Sequence, residues 1–434
     1  MPMSELLLAT FIGLLMLLYG IGIPAAYSLG LTVLIIMLLP IGPPLNLIVI
    51  TQRFWAGMNS WVLLAVPFFL MAGRIMNITG ITDDMFNFAT ELVGPIQGGL
   101  AQVNVVVSLI FSGMSGSAVA DAAGIGSVEY EAMTSNGYDG ESAVGITGAS
   151  AIIGPIIPPS IPIVIYAVLA QESIGTLFIA GIGPGLLLAA AMAGTAFYLG
   201  KKRSWPDEGT YDFSRLFETF IKAIPGLITP AIIIGGILGG IFTATEAALV
   251  AVVYALLLGF FYYRSIGLDD LYEVSKETFE DTASIVVIFG FANLYAYWLT
   301  LSGIPDLIGE IVVGLSLTPV MTMLLLAVVL LVLGTFMEGI AVLLIMVPML
   351  VPLYPELGID PIHFGIVMVV TLMYGLITPP FGLILFVLER VTEESLDKVM
   401  KSMVPYYLPL ALALLLIILV PELSLAIPRA FGLL

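Results

Sequence analysis

Apolar residues run along this chain in blocks of membrane length, with polar residues gathered between the blocks. A helix needs about 20 apolar residues to cross a bilayer core. The pattern predicts such helices near 4–22, 24–50, 61–79, 175–200, 222–241, 245–263, 282–302, 318–333 and 404–427. Two segments carry one charged face instead. In 266–281, Leu268, Leu271 and Val274 alternate with Asp269, Asp270, Glu273 and Lys276. In 391–403, Leu396, Val399, Met400 and Met403 fall on one helical face. Helices of this kind lie along the membrane surface. Three stretches fit neither pattern: 98–135, rich in Gly, Ser and Ala with polar residues at depth; 141–170; and 332–388.

The last two stretches hold near copies of one another, Gly154-Pro155-Ile156-Ile157-Pro158-Pro159 and Gly375-Leu376-Ile377-Thr378-Pro379-Pro380. The copies lie half the chain apart. Proline removes a backbone donor and clashes with the preceding turn, so a double proline breaks a helix. The freed carbonyls are tolerated at membrane depth only against protein or a watery cavity. Matching breaks in two halves of a chain point to a transporter's central site.

Small and polar residues precede each break. The first cluster, 111–121, carries Ser112, Ser115, Ser117 and Asp121. The second is Gly334-Thr335-Phe336-Met337-Glu338-Gly339, and the interval from Gly113 to Gly334 equals that from Gly154 to Gly375. Small residues permit close helix packing. Hydroxyl and carbonyl oxygens also suit a hard cation such as Na⁺, and an intramembrane acid is a functional candidate. Asp121 reads as a site residue or a buried partner of nearby donors. Glu338 reads as a ligand or as a hairpin-tip residue reaching interfacial water. Thr243 and Glu246 have capping-box spacing before an apolar run and read as structural. Arg74, near the end of a span, snorkels or pairs with an acid. His363 reads as an interfacial helix-start residue.

Composition agrees with a polytopic membrane protein: 60% hydrophobic and 10% charged, against roughly 25% charged in soluble domains. The first apolar run lacks a basic leader and a small-x-small site, so it reads as a true helix. With no Cys and one His, thiol chemistry and histidine metal clusters are excluded. No nucleophile–base constellation appears, so an enzyme is not expected. A net charge of −18 makes nucleic acid and anionic lipid headgroups poor partners; the acids in the loops read as ordinary loop solvation, as a surface hydrated at high salt, or as a face for a basic partner. Ten of the thirteen basic residues lie in 201–222, 264–276 and 390–401. The positive-inside rule places those loops in the cytoplasm and both termini outside. With 98–135 as a re-entrant hairpin, the first half makes five full crossings, which inverts the second half relative to the first.

Five ordered motifs carry a resemblance: "FSGMSGSAVADAAGIG" (111–126), "GPIIPPSIPIVIYA" (154–167), "GGIFTATEAALVAVVYAL" (239–256), "LGTFMEGIAVLLIMVPMLVP" (333–352) and "IDPIHFGIVMVVTLMYGLITPPFGLILFV" (359–387). The chain resembles the large membrane subunit of tripartite ATP-independent periplasmic (TRAP) transporters. The resemblance implies an all-α polytopic membrane protein of the ion transporter superfamily. It would be an elevator-type transporter with two inverted-topology repeats, each with a re-entrant hairpin and a broken helix. On this reading, 1–200 is the first repeat, with its hairpin near 98–135 and broken helix near 141–170. Residues 201–220 are a cytoplasmic linker. Residues 221–434 are the second repeat, with its hairpin near 332–352 and broken helix near 361–388.

The implied function is Na⁺-coupled uptake, across the inner membrane, of a small organic anion such as a carboxylate or sugar acid. Two or more Na⁺ ions would couple. The implied partners are a periplasmic solute-binding protein and a small four-helix membrane subunit, expected as a separate chain. One Na⁺ site would use Ser112 and Ser115 with backbone oxygens of Gly154, Ile157 and Pro159. The second would use Gly334, Gly375, Thr378 and Phe381. Ser117, Asp121 and Glu338 are candidates for substrate or ion contact; relatives usually carry Asp at the position of Glu338. The alternative is a carboxylate symporter of the same architecture, driven by Na⁺ or H⁺, that works without a binding protein.

Overall fold

The computed structural model describes residues 3–39, 47–206 and 209–434, with the side chains of 3–5, 25–26, 47, 112–115, 311 and 313 outside that description. Among the described residues the fold is all helical, and eight helices are long and apolar enough to cross a membrane. Large side chains such as Phe213, Phe261 and Leu268 remain exposed on the outside. Exposed apolar surface on this scale suits contact with lipid. The chain is a multi-pass membrane protein.

Several helices differ from the expected spans, and proline or its absence is the main reason. The run 24–50 is not one helix. Ala25–Leu38 stops at Leu39, which is extended, and Leu47–Met58 follows beyond residues outside the description. A residue before proline is pushed out of the helical region, and Leu39 precedes Pro40. The span expected at 404–427 likewise ends at Leu419, before Val420-Pro421, and a separate helix covers Glu422–Ala430. Conversely, 266–281 is no separate surface helix. No Gly or Pro stands between Leu268 and the span expected from 282, and Leu268–Ser302 runs unbroken for 35 residues. The segment 391–403 also merges forward, into Leu396–Leu419. Ile81–Val93 has no counterpart among the expected spans; it buries Ile81, Met85 and Ala89, one turn apart.

Two packing groups emerge. In one, the helices between Met3 and Met58 pack on Leu268–Ser302, Ala65–Ile78 packs on Ala244–Leu257, and Ile81–Val93 packs on Phe213–Leu238. The other is centred on Gly140–Ala151 and Pro361–Leu376. Every residue from Ser142 to Ala151 is buried, as is all of Pro361–Leu376 except Pro361 and Tyr374. A helix apolar on all sides belongs inside a bundle. Each central helix starts on an aspartate cap: Asp139 accepts from Ser142 N at 2.7 Å, and Asp360 from His363 N at 2.9 Å. The two caps are separated by the same interval as the two breaks. His363 does begin a helix, but its ring is buried rather than interfacial.

The halves interlock at Tyr166. Its ring lies where a Cβ on Gly365 would come within 2.3 Å, and its hydroxyl donates to Pro361 O at 2.6 Å. Removing the hydroxyl forfeits about 1 kcal/mol, whereas overpacking a filled core costs about 1–3 kcal/mol. Gly365→Ala is therefore expected to lower the thermal unfolding midpoint in detergent more than Tyr166→Phe does. An unchanged midpoint for Gly365→Ala would show that the two halves do not bear on each other there.

Candidate functional site

The first break follows Ala151. Its turn bonds end on Ser150 O (from Ile153 N, 2.9 Å) and Ile153 O (from Ile156 N at 3.0 Å and Ile157 N at 3.2 Å). Ser160 caps the next helix by accepting from Ile163 N at 3.2 Å, and its hydroxyl donates to Pro155 O. Among the described residues, the carbonyls of Gly154, Ile157 and Pro159 accept none of these bonds. The tip of the first hairpin is pressed against this segment. Helix Leu100–Ser115 ends at Gly116, whose φ of +61° is left-handed. A Cβ there would lie 2.6 Å from Pro159 O, while Ile161 N donates to Gly116 O at 3.4 Å. A Cβ on Gly154 would lie 2.0 Å from Asp121 Oδ2, so the carboxylate sits on bare backbone. Only glycine permits either approach.

The second break repeats the arrangement with different partners. Thr378 N donates to Gly375 O at 3.0 Å and Gly382 N to Thr378 O at 3.2 Å. Thr378 Oγ1 donates to Tyr374 O at 2.8 Å, which leaves its lone pairs for a cation. Tyr407 Oη donates to Ile377 O at 2.8 Å. Gly334, near the end of Pro319–Phe336, meets Gly375 directly: a Cβ on Gly375 would lie 2.7 Å from Gly334 C. The Phe381 ring is exposed and tilts against Phe336, with centroids 5.6 Å apart. Both Pro158–Pro159 and Pro379–Pro380 are cis.

Ser117 and Glu338 cap the second arms of the two hairpins, again at the interval that separates the breaks. Ser117 Oγ accepts from Ala120 N at 3.4 Å, and Glu338 Oε2 from Ala341 N at 3.1 Å. Each tip borders a cavity. One of about 290 Å³ lies between Ser117 and the Arg74–Asn77 turn. Another of about 550 Å³ lies between Glu338 and Tyr19, Tyr27 and Ser284. Helix Leu268–Ser302 walls both, through Asp281 in the first and 283–288 in the second.

A family profile described as "Tripartite ATP-independent periplasmic transporter, DctM component" matches residues 12–423. The chain belongs to the TRAP transporter family, as its large permease subunit. It is 40% identical to the sialic acid TRAP transporter large permease protein of Vibrio cholerae, covering 94% of this chain and 96% of that one. It is 39% identical to the C4-dicarboxylate TRAP transporter large permease protein of Pseudomonas aeruginosa, covering 86% and 88%. The fold is similar to that of the Alcanivorax borkumensis YdaH transporter, at a TM-score of 0.62 and 17% identity over 88% of each chain. This is a transporter subunit and not an enzyme.

In this TRAP subunit the structure brings Pro159 and Gly154 against Gly116 and Asp121 of the first hairpin, and Gly375 against Gly334 of the second, while Ile157 packs toward Gly185 and Thr378 bonds back to Tyr374. Helix Leu100–Ser115 carries Ser112 and Ser115 to the first tip, and their side chains lie outside the described residues. Glu338 lines the cavity at the second tip. Thr243 and Glu246 form the expected capping box. Two pairings had no sequence signal. Glu129, 2% exposed, is an electrostatic neighbour of Asp121, itself 3% exposed. Asn104 donates to Thr147 Oγ1 at 2.8 Å and accepts from Ser150 Oγ at 2.6 Å, all buried. Of the two readings of Arg74, pairing with an acid holds: it joins Glu277 and Asp281 in a charged cluster.

Capping and charge make separable demands at Glu338. Asn and Asp are both good N-caps, but only Asp keeps the charge. If the carboxylate acts in transport, Glu338→Asp retains much of the initial uptake rate per inserted protein, and Glu338→Asn loses most of it. Equal rates in both variants would reduce Glu338 to a cap.

Proposed function

We propose that this TRAP large subunit couples inward movement of Na⁺ to uptake of a small organic anion, which an extracytoplasmic solute-binding protein delivers. The observation that carries this reading is the pair of hairpin tips pressed on two helix breaks through glycine-only contacts: Gly116 on Pro159 and Gly334 on Gly375. Such contacts leave backbone oxygens of one element beside those of another, which suits a partly dehydrated Na⁺. One ion is held by Ser112, Ser115 and the oxygens of Gly154, Ile157 and Pro159. The second is held by Gly334, Gly375, Thr378 and Phe381. Their ligands are neutral oxygens, so each bound ion adds net positive charge beside the tips, where a carboxylate binds.

The remaining parts of the reading follow from the same geometry. The recurrence of caps, tips and breaks at one common interval, with the distribution of basic loops, supports two repeats of inverted topology. It also supports both termini outside the inner membrane. The two packing groups supply a scaffold and a mobile elevator that carries both hairpins and both breaks. A small four-helix subunit covers scaffold surface. Sialic acid and C4-dicarboxylates, named for the relatives, are carboxylates, and the substrate belongs to that class.

Uptake into proteoliposomes with the partner proteins present is expected to follow an imposed Na⁺ gradient and not ΔpH alone. Uptake driven by ΔpH with Na⁺ absent would instead make the buried Asp121–Glu129 pair the coupling element. Ser115→Ala and Thr378→Val are expected to raise the Na⁺ concentration for half-maximal uptake by about tenfold, since each removes an ion ligand. Thr243→Val removes only a cap, worth about 1 kcal/mol of helix stability, and leaves that concentration unchanged. Equal shifts in all three variants would mean that the clusters are packing motifs.

A further inference from the structure

The cavity at the first hairpin tip has one cationic wall residue among the described residues, Arg74. Its guanidinium is held from one side by a single helix. Nη2 donates to Asp281 Oδ2 at 2.6 Å, Nη1 to Thr278 Oγ1 at 3.2 Å, and Nε lies 3.4 Å from Glu277 Oε2. These contacts use three of the five N–H groups of an arginine. Asp281 also lines the cavity, and its side chain is 52% exposed, against 26% for Arg74. Asp281 and Glu277 stand one helical turn apart, where like charges repel, so one cation restrains two acids that oppose each other. The other walls are Leu70, Phe111, Val119 and Ala120, with the polar side chains of Asn77 and Ser117.

We propose that this cleft is an exchange site for the transported anion, in which a substrate carboxylate takes the place of Asp281 on Arg74. The inference rests on the organic-anion reading above and adds to it a scaffold residue that meets the cargo. The guanidinium fork accepts a carboxylate through two parallel N–H bonds. Asp281 offers one oxygen, from the rim of the cavity. An incoming carboxylate gains the fork, and its arrival separates Asp281 from Arg74 and relieves the Asp281–Glu277 repulsion. When Asp281 swings back, it competes the anion off. Arg74 binds, Asp281 releases, and Glu277 keeps the guanidinium in place throughout. At about 290 Å³ the cleft lies at the small end of ligand pockets, which run from about 300 to 1,000 Å³. With Leu70, Phe111 and Val119 along one part of its lining and Asn77 and Ser117 along another, it takes a compact carboxylate with a short aliphatic body.

The sign of two substitutions tests this. The full chain in lipid nanodiscs, with Na⁺ present, is titrated with succinate by calorimetry. Arg74→Gln is expected to weaken succinate binding by about tenfold or more, the scale of a lost charge-assisted pair. Asp281→Asn removes the competitor and is expected to tighten binding severalfold. In transport assays it lowers both KM and the maximal rate. Arg74→Lys keeps the charge without the fork and falls between wild type and Gln. A purely structural ion pair moves Arg74→Gln and Asp281→Asn in the same direction, and that result overturns the proposal. If Arg74→Gln does not fold, Asp281→Asn decides alone, since unchanged or weakened binding contradicts the exchange. Absence of succinate binding by wild type also overturns it. Na⁺-driven uptake of organic anions is judged separately by the gradient assay.

Discussion

A carbonyl released by proline at membrane depth has no water to donate to it, so protein or a captured ion must satisfy it. Much of this fold is arranged around two such places. The chain breaks one helix at Pro158-Pro159 and another at Pro379-Pro380, then brings a hairpin tip to each. Contact is close because glycine stands where a side chain would collide: at Gly116 and Gly154 in the first half, and at Gly375, against Gly334, in the second. Ser117, Ser160 and Glu338 cap three of the neighbouring helices, whereas Leu383–Thr392, after the second break, begins on Gly382 without a side-chain cap.

Charge is distributed to match. Acids lie near both tips, with Asp121 buried on Gly154 and Glu338 facing open cavity. Helix Leu268–Ser302 runs past both cavities and carries Asp281 to one of them. Arg74 stands opposite and is outnumbered there by Glu277 and Asp281. On the proposed transport of an anion, these acids offset a fixed positive charge that alone would retain the cargo.

Part of this is legible in the linear sequence because proline, glycine and apolar run length act locally. Span positions, both breaks, their common interval and the Thr243–Glu246 capping box can be read without coordinates. The departures from the expected spans are local too. Pro40 and Pro421 act on the residue before each, which divides 24–50 and ends 404–427 early. Two segments with charged faces belong to helices that continue through them, and in the first of these no Gly or Pro marks a break after Leu268. The stripe of Ile81, Met85 and Ala89 is a helix signal of the same local kind, and span length alone does not find it.

What the sequence determined by itself was the class of protein, where its helices break, and which small and hydroxyl residues cluster near the breaks. These follow from backbone chemistry, which depends on a residue and its near neighbours. Only the tertiary structure decided which groups meet. It set the carboxylate of Asp121 on Gly154, the ring of Tyr166 on Gly365, and Arg74 between two acids from the other half of the chain. It also placed Glu338 on the wall of a cavity with Tyr19, Tyr27 and Ser284. Pairings of this kind depend on how whole helices pack, and a residue carries no local mark of the partner that packing will bring.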